Sequence, residues 1–582
     1  MAMSALTAAL SVTATSCLDE VYPEDGTMTS DQIAGADKSS LVGAIPAYFN
    51  TFTNYNTNQY SVYCSDIGFG GFLIYWDTMT ADFPIYDEGY DYFTTYEYTQ
   101  DMYDTTIQTR FWRRYYYFIR NCNLVLGVTG YDPESYDAEY IGIATACRAW
   151  AYMDITRLYE YKHTGVGELD EIATERGLYG VTVPIVTEET TEEESRVAKR
   201  APFYEMYRFI MNDLNLAEVC LKDVHTASAK NYPCIGTVYG MKARMWLEMG
   251  SRFERYADDL ATQVQAESDE TLAGYDKLGI TSARECYENA AKYARMAINE
   301  GFSPVNESQW YDPVNGFNTP NQAWMFCIII TADAGLAKNV DFQSWPGLLS
   351  PETDYGVCTN SYKAYRMIDA RLNSKMDAND WRRYTWIQPD DVADETAFNK
   401  HYARGTNLNF KEWCEYAAYT GMKWHPGSGN RTTSNTGNVV SIPLMRVEEM
   451  YLIEAEALAY TNGAGAGKEK LETFMNSYRM DSGKTYTCAD SSLDGVIDAI
   501  LTQKRIELWS EGLILFDYRR LELPIERGYP GTNHYANSRF NSYPNAVAPW
   551  TNICMPERVK QLNPDFPLNP DPSLAISLWK EE

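Results

Sequence analysis

The sequence predicts a mainly α-helical protein: a scaffold of helix pairs carrying long irregular segments that hold the binding surface. Three observations lead there. From about residue 105, stretch after stretch places apolar residues at alternating spacings of three and four, the period of a helix face. Small residues fall where such helices would cross. Two segments, near 50–104 and 301–440, are rich in Tyr, Trp, Asn, Gly and Pro and have little helical period.

Taken in order, TRFWRRYYYFIRNCNLVLG sets Trp112, Tyr116, Ile119, Asn123 and Leu126 on one helix face. IATACRAWAYMDITRLYE repeats the pattern with Ala144 and Ala151, small enough for close helix contact. YEMYRFIMNDLNLAEVCL, IGTVYGMKARMWLEMG and CYENAAKYARMAINEG read alike. In SIPLMRVEEMYLIEAEALAY, Leu444, Val447, Tyr451, Ala455 and Leu458 share a face, with Glu448, Glu449 and Glu456 turned elsewhere; TNGAGAGKEK then reads as a plain connecting loop. The pairs resemble tetratricopeptide repeats without a strict 34-residue period.

The 582 residues, 45% of them hydrophobic, suffice for an extensive core. A formal charge of −31, from 49 basic and 80 acidic residues, repels nucleic acid and anionic membranes and leaves no phosphate-binding stripe. After the N-terminus nothing approaches the ~20 apolar residues of a membrane span. The 12 cysteines are scattered singly, as small buried hydrophobes are. His163, His225, His401, His425 and His534 lie far apart in no zinc-binding spacing, so neither metal nor cofactor is expected. GAGAGKE lacks the first Gly of a phosphate loop and has no Ser or Thr after Lys468.

RIELWSEGLILFDYRRLE offers Arg505, Glu507, Glu511, Asp517, Arg519 and Arg520, which could be taken for an acid/base constellation. Arg–carboxylate pairs satisfying one another where a helix runs into a turn are the better reading. A glycosidase needs only two placed carboxylates, and nothing singles out such a pair.

Binding remains. The 46 Tyr and 14 Trp supply flat apolar faces with polar edges, suited to stacking on sugars. YCSDIGFGGFLIYWDTM combines Asp66 in a glycine-containing loop with Tyr75, Trp76 and Asp77; packing of Trp76 as core is the equal alternative. In the second irregular segment, Tyr311 and Trp345 stand out in Pro/Gly-rich polar settings, followed by Arg382, Trp310 and Tyr355.

QKRIELWSEGLILFDYRRLELP (503–524) is similar to the C-terminal pattern of the SusD/RagB family: an Arg-x-x-Glu-Leu helix, Glu-Gly, then an aromatic-Asp-x-x-Arg turn. LMRVEEMYLIEAEAL, FWRRYYYFIRNCNLVL, ACRAWAYMDITRLY, GVTVPIVTEETT and CMPERVKQLNPDF resemble further family segments and follow in family order. Trp509-Ser510 replaces the family's aromatic-Glu step. The resemblance implies a SusD-like fold with four tetratricopeptide-like helix pairs as scaffold and a loop-rich ligand-binding half. It also implies a non-enzymatic outer-membrane lipoprotein that captures oligosaccharides, neutral ones given the acidic field, and delivers them to a SusC-like TonB-dependent transporter. A peptide-binding importer subunit of the RagB type is the alternative, a glycoside hydrolase a more distant one. Family members commonly place ligand contacts in the loop region holding Ser65-Asp66.

The expected organisation is a signal peptide at 1–16 and one SusD-like domain over 17–582. MSALTAALSVTATSC is small and apolar, although without a basic start, and has Ala14 where a lipobox prefers Leu. Cys17 could be a disulfide half, a buried thiol or an anchor point. The polar, acidic residues after it argue against burial, and the resemblance implies lipidation at Cys17.

Overall fold

The structure, a computed structural model, describes residues 37–49, 68–86, 93, 106–269, 274–338, 344–359 and 361–579. The signal peptide expected at 1–16, Cys17 and Asp66 lie outside these residues.

The principal helices are α1 (Lys38–Tyr48), α2 (Phe69–Met79), α3 (Thr106–Thr129), α4 (Ala138–Tyr159), α5 (Phe203–Cys220), α6 (Ile235–Arg255) and α7 (Ala283–Asn299), followed by α8 (Val447–Asn462), α9 (Ala464–Tyr478), α10 (Leu493–Glu507), α11 (Ile514–Arg520) and α12 (Glu557–Leu562). Each of α3 to α9 packs on the next, and α10 packs on both α8 and α9. The result is four successive pairs, α3/α4, α5/α6, α7/α8 and α9/α10. Close crossings need missing side chains: a Cβ on Gly250 of α6 would stand 2.8 Å from the Tyr287 ring of α7. Helix ends are satisfied locally. Ser282 accepts the Glu285 amide while the Glu285 carboxylate accepts the Ser282 amide, a capping box that starts α7.

The third pair is interrupted. Between α7 and α8 the chain leaves for the irregular segment and returns, and the two limbs are joined by a two-stranded antiparallel ladder, β1 (Trp324–Ile328) with β2 (Ile442–Arg446). Short helices and turns fill the rest of the excursion, around a secondary core that includes Tyr365, Phe398, Tyr402 and Trp413.

Four sequence expectations change. Phe69–Met79 is a helix inside a segment read as irregular; every residue of it is buried, so it has no polar face to generate a period. Leu444 belongs to β2, and α8 is buried nearly all round because α7, α9 and α10 surround it; Glu448, Glu449 and Glu456 are inside, each paired with arginine. The loop TNGAGAGKEK shrinks to Gly463 alone, whose φ of 89° and ψ of 161° break α8 from α9. The innermost face of α3 is Phe111, Tyr115, Phe118, Cys122 and Val125; Trp112, Tyr116 and Asn123, one residue further round, flank it instead.

Candidate functional site

The residues singled out for binding sit beneath the irregular surface. Tyr75 on α2 packs 4.6 Å from the Phe93 ring and 5.8 Å from that of Phe111. Trp76 stacks on Tyr115 at 6.5 Å and meets Phe516 of α11 edge-on at 5.3 Å. The Asp77 carboxylate accepts the Gly512 amide at 2.8 Å; burial pushes its pKa well above the usual carboxylate range, against the pull of that amide. Tyr311 donates to the Trp381 carbonyl under the Arg404 guanidinium, which lies 4.4 Å from its ring centre. Trp345 begins a one-turn helix capped by Ser344 and meets Trp424 edge-on at 5.0 Å. All of these side chains are buried, as are Trp310 and Arg382. None of them turns a face outward.

Arg382 belongs to a closed charge cluster. Its Nη1 donates to Glu507 at 2.7 Å and its Nε to Asp380 at 3.0 Å. Glu507 also accepts from Arg479 at 2.7 Å and Arg446 at 3.1 Å; Glu511 accepts from Arg446 at 2.9 Å and Lys423 at 2.5 Å; Glu448 pairs with Arg446 at 2.9 Å. Four cations (Arg382, Lys423, Arg446, Arg479) thus face four carboxylates (Asp380, Glu448, Glu507, Glu511), with no side-chain exposure anywhere in the set. Burial alone would raise the Glu507 pKa, but Arg479, Arg446 and Arg382 outweigh it and hold the carboxyl well below its usual range. Balanced charge, with several hydrogen bonds to most of its ions, is what a buried ionic cluster requires.

The rest of the same segment ties distant parts together. Arg505 and Tyr518 donate to the Asp82 carboxylate at 2.9 and 3.1 Å, and Trp509 Nε1 donates to the Asp82 carbonyl at 3.0 Å. Arg520 pairs with Glu456 at 2.6 Å; Asp517 accepts from Lys504 at 2.9 Å; Arg519 Nε donates to the Arg157 carbonyl at 2.8 Å. Ser510, where the family has Glu, turns with φ 63° and accepts from Trp424 Nε1 at 3.0 Å. Arg505, Glu507, Glu511, Asp517, Arg519 and Arg520 are therefore structural.

Among the described residues no group of three or more His, Cys, Asp or Glu could hold a metal ion, and no helix is long and apolar enough to cross a membrane. Eight of the ten described cysteines are buried.

A groove of about 980 Å³ opens on the helical side, between α3, residues 184–198 and the α12 region down to Phe566. Trp112, Tyr116, Ile119 and Asn123 line it, so the stripe read from sequence as one helix face forms its floor. Tyr116 donates to the Pro184 carbonyl at 2.8 Å and Asn123 Nδ2 to the Val186 carbonyl at 3.0 Å, which fixes the opposite wall. Only the helix period of the floor was visible in the sequence; the walls lie far from it along the chain.

Comparisons with known proteins agree with this architecture. Residues 332–564 match the family model described as the SusD family, and residues 73–247 match a second, described as starch-binding associating with outer membrane. The chain belongs to the SusD/RagB family. Among solved structures, a SusD-like carbohydrate binding protein from Bacteroides vulgatus superposes with a TM-score of 0.64 at 19% identity, covering 92% of this chain and 97% of its own. A SusD homolog from Bacteroides thetaiotaomicron gives 0.61 at 15% identity, covering 93% and 99%. A SusD superfamily protein from the same species gives 0.60 at 17% identity, covering 92% and 99%. At these identities the likeness establishes the SusD-like, mainly α fold. No curated protein matches.

Proposed function

We propose that this protein is a non-enzymatic, cell-surface lipoprotein that binds oligosaccharides, preferably neutral ones, and hands them to a SusC-like TonB-dependent transporter in the outer membrane. The observation that carries the reading is the pair of family matches, in order and without overlap, one of them to a family described as starch-binding at the outer membrane. The closed state of the charged cluster supports a binder over a hydrolase, since an acid/base pair must reach the glycosidic oxygen and these carboxylates are all engaged by buried cations.

The binding surface is proposed on the irregular half, at Asp66 and the loops near it. Tyr75, Trp76, Asp77, Tyr311, Trp345 and Arg382 then serve it as a rigid base, a role their burial supports. The anchor is proposed at Cys17, whose acyl chains would each hold the protein by ~0.8 kcal/mol per buried CH₂.

Calorimetry of the full chain with α-glucan and other neutral oligosaccharides, and in parallel with peptides, tests the reading. Saturable heat with a sugar, no new reducing ends, and loss of that heat in Asp66→Ala are expected. Heat with peptides alone would transfer the protein to the RagB-type reading, and new reducing ends would make it an enzyme. Cys17→Ala should move the protein to the soluble fraction; membrane retention would remove the anchor.

A further inference from the structure

The groove along α3 has the shape and chemistry of a second binding surface. Its α3 wall runs from Thr109 to Val128, a length of about 28 Å at 1.5 Å per helical residue. That is too long for a compact ligand and suits a linear one. Its apolar lining mixes the aliphatic Leu124, Val128, Val186 and Val559, with Leu562 of α12 64% exposed at the edge, and the aromatic Trp112, Tyr116 and Tyr117. The Trp112 ring is already engaged by Tyr116, Tyr159 and Phe566 at 4.8, 5.2 and 6.1 Å, so it offers no free face for sugar stacking. Tyr117, 42% exposed, has Arg113 5.7 Å over its ring, and the branched aliphatic side chains beside it receive side chains better than pyranose rings.

Charge narrows the ligand further. In a chain of net charge −31, exposed Arg113, Arg120 and Arg558 border this groove and have no ion-pair partner among the described residues. The acidic groups of the wall are taken: Glu188 pairs with Arg148 at 3.0 Å and accepts from Tyr131 at 2.6 Å, and Glu192 pairs with Arg196. A positive rim over a mostly apolar floor complements carboxylates flanking an apolar stripe.

We propose that this groove docks an acidic amphipathic helix of about five turns, supplied by another protein, with its apolar stripe on the α3 floor and its carboxylates against Arg113, Arg120 and Arg558. The proposal does not rest on the glycan-binding reading and stands or falls independently of it.

The test uses fluorescence anisotropy of the full chain with a labelled 19-residue peptide carrying Leu at i, i+3, i+4 and i+7 repeats and Glu on the flanks. Saturable binding is expected, at least tenfold weaker for Arg113→Glu/Arg120→Glu/Arg558→Glu and for Leu562→Asp. These side chains are exposed, so circular dichroism melting should be unchanged, as should oligosaccharide binding. A scrambled peptide of equal charge should bind at least tenfold more weakly. No binding, equal binding of the scrambled peptide, or preference for a Lys-for-Glu peptide would overturn the proposal. So would an oligogalacturonate binding in the groove where the peptide does not, which would make it an acidic-glycan site.

Discussion

Arg382 and Glu507, 125 residues apart in the chain, meet through an Nη1–H···Oε2 hydrogen bond of 2.7 Å with neither side chain exposed. Around them the buried cluster is neutral only when every member is present. Glu507→Gln would leave Arg382, Arg446 and Arg479 with one shared negative charge fewer and should cost about 3–5 kcal/mol, read as a lower urea midpoint. The pH dependence has a fixed sign. A carboxylate held low in the folded state contributes stability above its unfolded pKa, near 4.5, and loses it as pH falls toward the folded value. The gap between wild type and variant should therefore be full at neutral pH and narrow only in acid. A gap that is constant across the acid range would remove Glu507 ionisation as its source.

Trp76→Ala should lower stability by about 3–5 kcal/mol, the cost of emptying a large buried aromatic site. Trp76 touches Tyr115 and Phe516 and so bridges α2, α3 and α11. The measurement is thermal and denaturant unfolding beside sugar binding at a temperature where the variant stays folded. Unchanged stability with abolished binding would return Trp76 to the role of a direct ligand contact.

His534 is buried with Nε2–H donating to the Ala81 carbonyl at 2.9 Å, and burial, helped by nearby Arg527, lowers its pKa to about 3. Asp369 lies 3.7 Å away and Arg539 adds to the positive field. A histidine depressed in the folded state contributes stability above its unfolded pKa of 6.5, lost progressively as pH falls toward 3. The slope is at most about 1.4 kcal/mol per pH unit. His534→Gln keeps an N–H donor and should flatten that limb in pH-dependent unfolding; an identical slope in the variant would mean other groups produce it.

Gly463 and Gly467 should respond differently to alanine. At Gly463 nothing lies within 4 Å of an added Cβ, so Gly463→Ala should cost about 1–3 kcal/mol through backbone conformation alone. At Gly467 the Cβ would stand 2.5 Å from Ala459 Cβ and 2.8 Å from the Ala455 carbonyl, so Gly467→Ala must push α8 and α9 apart, a comparable cost of about 1–3 kcal/mol. Glycine-to-D-alanine replacement by semisynthesis separates them, since it should rescue position 463 only.

What the sequence revealed depended on whether an element had two unlike faces. α5 and α7 pack on one side and face solvent elsewhere, and their periods predict them. α2 and α8 are surrounded, so Tyr75, Trp76 and the three glutamates of α8 carried no readable polarity. The charged run from Arg505 to Arg520 was legible as structural because its residues could satisfy one another, although its partners Asp82, Arg382 and Arg446 lie too far along the chain to be paired by spacing. The groove escaped notice for the same reason: α3 supplies its floor, and residues 184–198 and 556–566 supply walls that only the fold brings near.

The contact between Asp82 and Arg505 spans 423 residues. At a synthesis rate of roughly 5–20 residues per second, the α2 region must wait about 20–85 s for the partner that locks it in place. Until then its aromatic helix can pack on Phe111 and Tyr115 of α3 but lacks its seat against α11. The α2 region is thus one that the chain can complete only late, because the contacts that close it come from the last quarter.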